Sequence, residues 1–138
     1  MTEVIIALEK DLFFAVKMRD TLRHHDIAVT TVRNLATFEQ SFASEQDRPI
    51  LAIVNISTPG IDWEAAIRSA NAHNVPVLAF GSHIDIEAQQ RARQAGARRV
   101  VANSKFVKDM PGLVQRTLQT PVQTQPISDE DEDMHDDE

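Results

Sequence analysis

Five short apolar runs recur along the chain, and a stretch with helical periodicity follows each of them. The runs are Val4-Ile5-Ile6-Ala7-Leu8, the β-branched segment 27–32, Leu51-Ala52-Ile53-Val54, Val77-Leu78-Ala79-Phe80 and Arg99-Val100-Val101-Ala102. Short, nearly unbroken apolar runs read as strands buried on both faces, because such strands have no solvent side to carry polar residues. The intervening segments repeat their apolar residues every three or four positions. Phe14, Met18 and Leu22 mark a helix over 11–25. Leu35, Phe38 and Phe42 mark a second, with Asn34 as its N-cap. Trp63, Ala66, Ile67 and Ala70 mark a third, capped by Asp62. The fourth, 85–95, turns only Ala88, Ala92 and Ala95 inward and stops at Gly96. The fifth, 107–118, carries Met110, Leu113, Val114 and Thr117.

Five strand–helix units predict an α/β fold with a five-stranded parallel sheet covered on both faces. Right-handed crossovers favour the doubly wound order 2-1-3-4-5, with the less apolar second strand at an edge. The switch point then falls between the first and third strands, so residues 8–11 and 55–58 line one crevice. One domain over 1–119 is expected, followed by a linker and an acidic, disordered tail over 120–138.

The stretch 51–64 holds the centre of that crevice. A buried strand meets one polar residue, Asn55, and Thr58-Pro59-Gly60 then turns the chain toward the helix at Trp63. Proline pre-sets φ for such a turn and glycine accepts positive φ. The segment resembles the phosphoacceptor strand and loop of response-regulator receiver domains, a flavodoxin-like family. In that family a buried strand ends in Asp, followed two residues later by Met-Pro-Gly-Met-Asp-Gly. Aligned without gaps, Asn55 falls on the phosphorylated Asp and Thr58-Pro59-Gly60 on Met-Pro-Gly. The resemblance covers about residues 3–119.

The resemblance implies a carboxylate nucleophile, a divalent cation held by carboxylates, and donors for the phosphoryl oxygens. The letters depart from it. The two acids closing the first strand become Leu8 and Glu9. The nucleophile position is Asn55, whose neutral amide does not attack phosphorus. The Ser or Thr closing the fourth strand becomes Gly81, with Ser82 one step later. The Lys-Pro after the fifth strand becomes Asn103-Ser104, and Lys105 comes two residues late. A degenerate, phosphorylation-independent "pseudo-receiver" is therefore expected. It needs no cofactor, its Mg²⁺ binding is weak or absent, it has no metal site, and it is not an enzyme. Two readings of Asn55 stand open: a strand-end residue satisfying loop amides, or part of a retained polar pocket. Glu9 and Asp11 are likewise a vestigial acidic pocket or simply the loop before a helix. The alternative function is a small-molecule or anion-binding module using Glu9, Asn55 and Ser82.

Charge adds a second theme. Residues 1–90 carry seven basic and twelve acidic side chains, residues 91–120 seven basic and one acidic, and residues 129–138 eight acidic and none basic. The basic set is Arg91, Arg93, Arg98, Arg99, Lys105, Lys108 and Arg116. In receivers the fourth helix, fifth strand and fifth helix form the output and dimerisation face, so the resemblance implies a partner site at Arg91, Arg93, Arg98, Arg99, Val100, Lys105 and Lys108. An ordinary solvated basic surface is the plainer reading. A protein partner is expected, a histidine kinase or another signalling protein, with a homodimer through this face as an option. The acidic tail is expected to mask the patch or to compete there with an acidic partner.

Other classes are excluded on residues. The chain has no Cys, hence no thiolate chemistry. There is no P-loop, Gly-x-Gly-x-x-Gly or Gly-x-Ser-x-Gly motif. No apolar run approaches the roughly 20 residues of a membrane span. No signal peptide is read at Met-Thr-Glu-Val-Ile-Ile-Ala. No helix-turn-helix follows the domain, so nucleic acid is not the expected partner, and a cytoplasmic location is.

Overall fold

The computed structural model describes residues 3–119. In chain order the elements are β1 (Val4–Leu8), α1 (Leu12–Arg23), β2 (Ala28–Val32), α2 (Leu35–Gln40), β3 (Leu51–Asn55) and α3 (Trp63–Ala72). They continue with β4 (Val77–Gly81), α4 (Ile86–Ala95), β5 (Arg99–Ala102), α5 (Asn103–Lys108) and α6 (Met110–Gln119). The strands form one parallel sheet in the order β2-β1-β3-β4-β5. This is the doubly wound architecture expected from the alternation, with β2 at an edge and only Val32 of it buried.

Alternate residues of each strand point to opposite faces, and each face has its own apolar layer. Ile6, Leu8, Ala52, Val54, Ala79 and Val100 meet Phe38, Ile67 and Ala92 from α2, α3 and α4. Ile5, Ala7, Ile53, Leu78, Phe80 and Val101 meet Met18, Phe106 and Leu113 from α1, α5 and α6. Short polar side chains start four of the helices. Asp11, Asn34, Asp62 and Asp85 each accept hydrogen bonds from first-turn N–H groups that have no partner within the helix. Such a cap stabilises a helix by about 1 kcal/mol. Gly96 ends α4 at φ 117°, where a Cβ would be strained.

Two helices differ from expectation. Phe42, read as part of the second helix, lies past the end of α2. It is nonetheless buried, edge-on to Phe38 with ring centroids 5.2 Å apart. The expected single helix over 107–118 is two helices broken at Asp109 (φ −141°, ψ 46°), and the first begins directly at the end of β5. Burial explains the early start. Phe106 is fully buried and stacks on Phe80 at 4.1 Å, which fixes 103–108 against the sheet. Pro111 then falls in the first turn of α6, where its missing N–H breaks no helical bond. No helix among the described residues is long and apolar enough to cross a membrane. The linker and disorder expected for 120–138 lie outside the described residues.

Candidate functional site

β1 and β3 are neighbours, so the residues that follow them meet at the C-terminal edge of the sheet. Glu9, one step past β1, is 1% exposed. A carboxylate this deep requires donors, because burying an unpaired charge is costly. It has two. Asn55 Nδ2 donates to Glu9 Oε1 at 2.9 Å, and the Asp11 backbone N–H donates to Oε2 at 3.0 Å. Asn55 Oδ1 in turn accepts the Ser57 N–H at 2.8 Å. The amide orientation is fixed by this pair of bonds. Flipping it would set oxygen against the carboxylate and NH₂ against an N–H.

The third and fourth strands are tied at the same edge. Ser57 Oγ accepts the Ser82 N–H at 2.9 Å, joining the loop after β3 to the loop after β4. Gln89, buried on α4, donates through Nε2 to the Ser82 and His83 carbonyls at 3.0 and 3.1 Å. Gly81 makes the approach possible. A Cβ on it would stand 2.6 Å from Ile56 Cγ1 and 2.9 Å from Ser57 Oγ.

A cleft of about 210 Å³ opens here, lined by Glu9, Asp11, Phe14, Asn55, Phe80, Asn103 and Val107. Its lining has two carboxylates and no Lys or Arg. Phe14 packs beside the stacked Phe80 and Phe106 as its floor, with centroids at 5.5 and 6.0 Å. The sequence-based residues therefore divide. Glu9, Asn55 and Asn103 come together with Asp11 at the cleft. Asp11 also caps α1, accepting the Phe13 and Phe14 N–H groups at 3.0 and 3.4 Å. Ser82 is engaged in the loop tie, and its Oγ accepts the Ile84 N–H at 3.3 Å. Lys105 sits on α5, outside the cleft lining. Ser57 and Gln89 are the residues that sequence reading missed. Both act through backbone partners, which leave no trace in a motif.

The cleft offers a divalent cation two carboxyls, Glu9 and Asp11, and the Asn55 amide. Mg²⁺ is usually held through one or two carboxylates together with several waters. Here the second ligand position presents the NH₂ of Asn55 to Glu9. Among the described residues no group of three His, Cys, Asp or Glu side chains is placed to hold a metal.

Two residues of the expected partner face are buried. Val100 is fully buried, since the alternation along β5 turns it under α4. Arg99 is 7% exposed. Arg91 turns toward α3, where its Nε donates to Glu64 Oε2 at 3.0 Å and its guanidinium lies 5.2 Å from the Trp63 ring centre. Arg93 and Arg98 are half-buried, and Lys108 is exposed.

The Arg91–Glu64 pair gives a pH signature. The hydrogen bond from Arg91 holds the Glu64 carboxyl below its ordinary value. A carboxyl lowered in the folded state stabilises above its unfolded pKa and loses that stabilisation as pH falls through the folded one. The melting temperature of Arg91→Gln should therefore lie below wild type at neutral pH, and the gap should close on acidification. A gap that persists in acid would mean that stacking on Trp63, not the ion pair, links α3 to α4.

Solved structures share this fold. A structure assigned to a response regulator of Chloroflexus aurantiacus is similar with a TM-score of 0.76 and 19% identity, over 87% of this chain and 100% of that one. The signal receiver domain of a modulated diguanylate cyclase from Desulfovibrio desulfuricans G20 gives 0.71 and 19%, over 86% and 94%. The receiver domain of NtrX from Brucella abortus gives 0.73 and 15%, over 86% and 100%. No family model and no curated protein matches the chain. The fold is that of response-regulator receiver domains.

Proposed function

We propose that the chain is a receiver-like signalling module that works without phosphorylation, by binding another protein, and catalyses no reaction. One observation carries the reading: the Asn55 amide donates to the buried Glu9 carboxylate at 2.9 Å. An uncharged amide stands where a nucleophile would be, and its NH₂ occupies the bridge that a cation would otherwise make. The tie from Ser57 to Ser82 supports it, since a loop held to its neighbour has less freedom to move toward a phosphoryl group.

Protein binding is favoured over ligand binding by what surrounds the cleft. Leu12, Phe13 and Val16 of α1 are 60%, 89% and 45% exposed. Grouped exposed apolar residues mark interaction surfaces more often than single ones do. The cleft itself is small beside ligand pockets of roughly 300–1,000 Å³. Its two carboxylates repel an anion, so the anion-binding alternative gains no support from the geometry. The partner is a signalling protein, and a histidine kinase is the one implied by the resemblance.

Trp63 is the only Trp in a chain with no Tyr, and it begins the helix after the cleft loop. Its fluorescence is expected to show no saturable change with Mg²⁺, alone or with beryllofluoride. A saturable response would overturn the reading and send attention to Glu9, Asp11 and Ser82 as phosphate or metal ligands.

A further inference from the structure

The topology collects four arginines at the N-terminal end of β5, opposite the cleft. Arg99 is the first residue of that strand, and Arg98 precedes it, its N–H donating to the carbonyl of Val77 at the start of β4. Arg93 is in the last turn of α4 and Arg116 in the last turn of α6. Helices that return the chain between parallel strands run opposite to them, so these last turns lie at that same end. Arg98 Nη1 also donates to the Thr117 carbonyl at 3.4 Å, joining the strand end to α6. No acid occurs in the sequence between Glu87 and Asp109, nor from there to Asp129. Asp109 reaches Arg116 at 3.3 Å across an exposed surface, where such pairs are weak. Burial pushes the Arg98 guanidinium below the usual arginine value, so a nearby anion gains more there than in open water.

The described chain ends at Gln119, two residues beyond Thr117. Ten positions further on begins a run in which eight of ten residues are acidic. We propose that the arginine end of the sheet, with Arg93, Arg98 and Arg116 at its surface, is the docking surface for this chain's own residues 129–138. Ten residues reach up to about 33 Å, well beyond the roughly 13 Å radius of gyration of a domain this size. Tethering at that length gives an effective concentration on the order of millimolar, so weak contacts suffice. The surface then accepts an external acidic partner only when it displaces the tail.

The test uses the full chain with the eight acids of 129–138 changed to their amides. At low salt, backbone NMR shifts should differ from wild type at Arg93, Arg98, Arg99 and Arg116, and the differences should vanish in high salt. A free peptide of residues 126–138 should bind the amidated protein about tenfold more tightly than wild type, where the tethered copy competes. Arg98→Gln with Arg116→Gln, its fold checked by circular dichroism, should reproduce the shifts at Arg93 and Arg99. Unchanged shifts at low salt, or equal peptide affinity, would sink the proposal. Shifts confined to Lys105 and Lys108 would overturn the location. Sedimentation showing a dimer that dissolves on amidation would overturn the intramolecular contact and place it between copies.

Discussion

Asn55→Asp is expected to destabilise the protein by about 2–4 kcal/mol at neutral pH when divalent cations are chelated, since it removes a donor to a buried charge and adds a like charge. The Asn55 Nδ2 bond is one of two that hold Glu9 at 1% exposure. With a carboxylate in its place, two negative charges share a wall and one oxygen of Glu9 loses its partner. The acid at this position would also complete a set of three carboxyls with Glu9 and Asp11. Mg²⁺ should then raise the melting temperature of Asn55→Asp and leave wild type unmoved, because a ligand stabilises only the fold that binds it. Urea denaturation with EDTA and with Mg²⁺ measures both halves. Equal stability of the two proteins in EDTA would show that Glu9 does not depend on the amide. Mg²⁺ stabilisation of wild type would show that the amide does not displace the ion.

The second large effect is at Gly81. Gly81→Ala should cost about 1–3 kcal/mol, the usual range for forcing a methyl group into a packed site. The added Cβ would meet Ile56 Cγ1 at 2.6 Å and Ser57 Oγ at 2.9 Å, and Ile56 is itself 4% exposed. Relief requires Ser57 to rotate, which breaks its bond to the Ser82 N–H. The resemblance would make a hydroxyl residue here a gain, whereas the packing makes any side chain a loss. A double-mutant cycle with Ile56→Ala separates the causes. If crowding is responsible, the double mutant loses less than the sum of the two single losses, and strictly additive losses would reject it.

How far the sequence could be read depended on which force set each feature. Every strand of the sheet was legible within about one residue, because Ile5, Ile53, Leu78 and Val101 sit in runs that only a doubly covered strand explains. Caps at Asn34 and Asp62 were legible because their chemistry is local. The early start of α5 was not. It depends on Phe106 finding Phe80, a contact between distant positions that overrides the local signal. On the expected partner face the burial was not legible either. The resemblance grouped seven residues there, while the alternation of β5 buries Val100 and Glu64 engages Arg91. At the cleft the residue types were evident, but that Asn55 bonds Glu9, and that Ser57 closes on Ser82, required the fold.

The direct run of β5 into α5 has a mechanical consequence. Asn103 and Val107 of α5 line the cleft, and α5 leads through the single residue Asp109 into α6. With no loop between strand and helix, the wall of the cleft is set by the same packing of Phe106 on Phe80 that seats α5 on the sheet, so truncating Phe106 should be felt at the cleft as well as in the core.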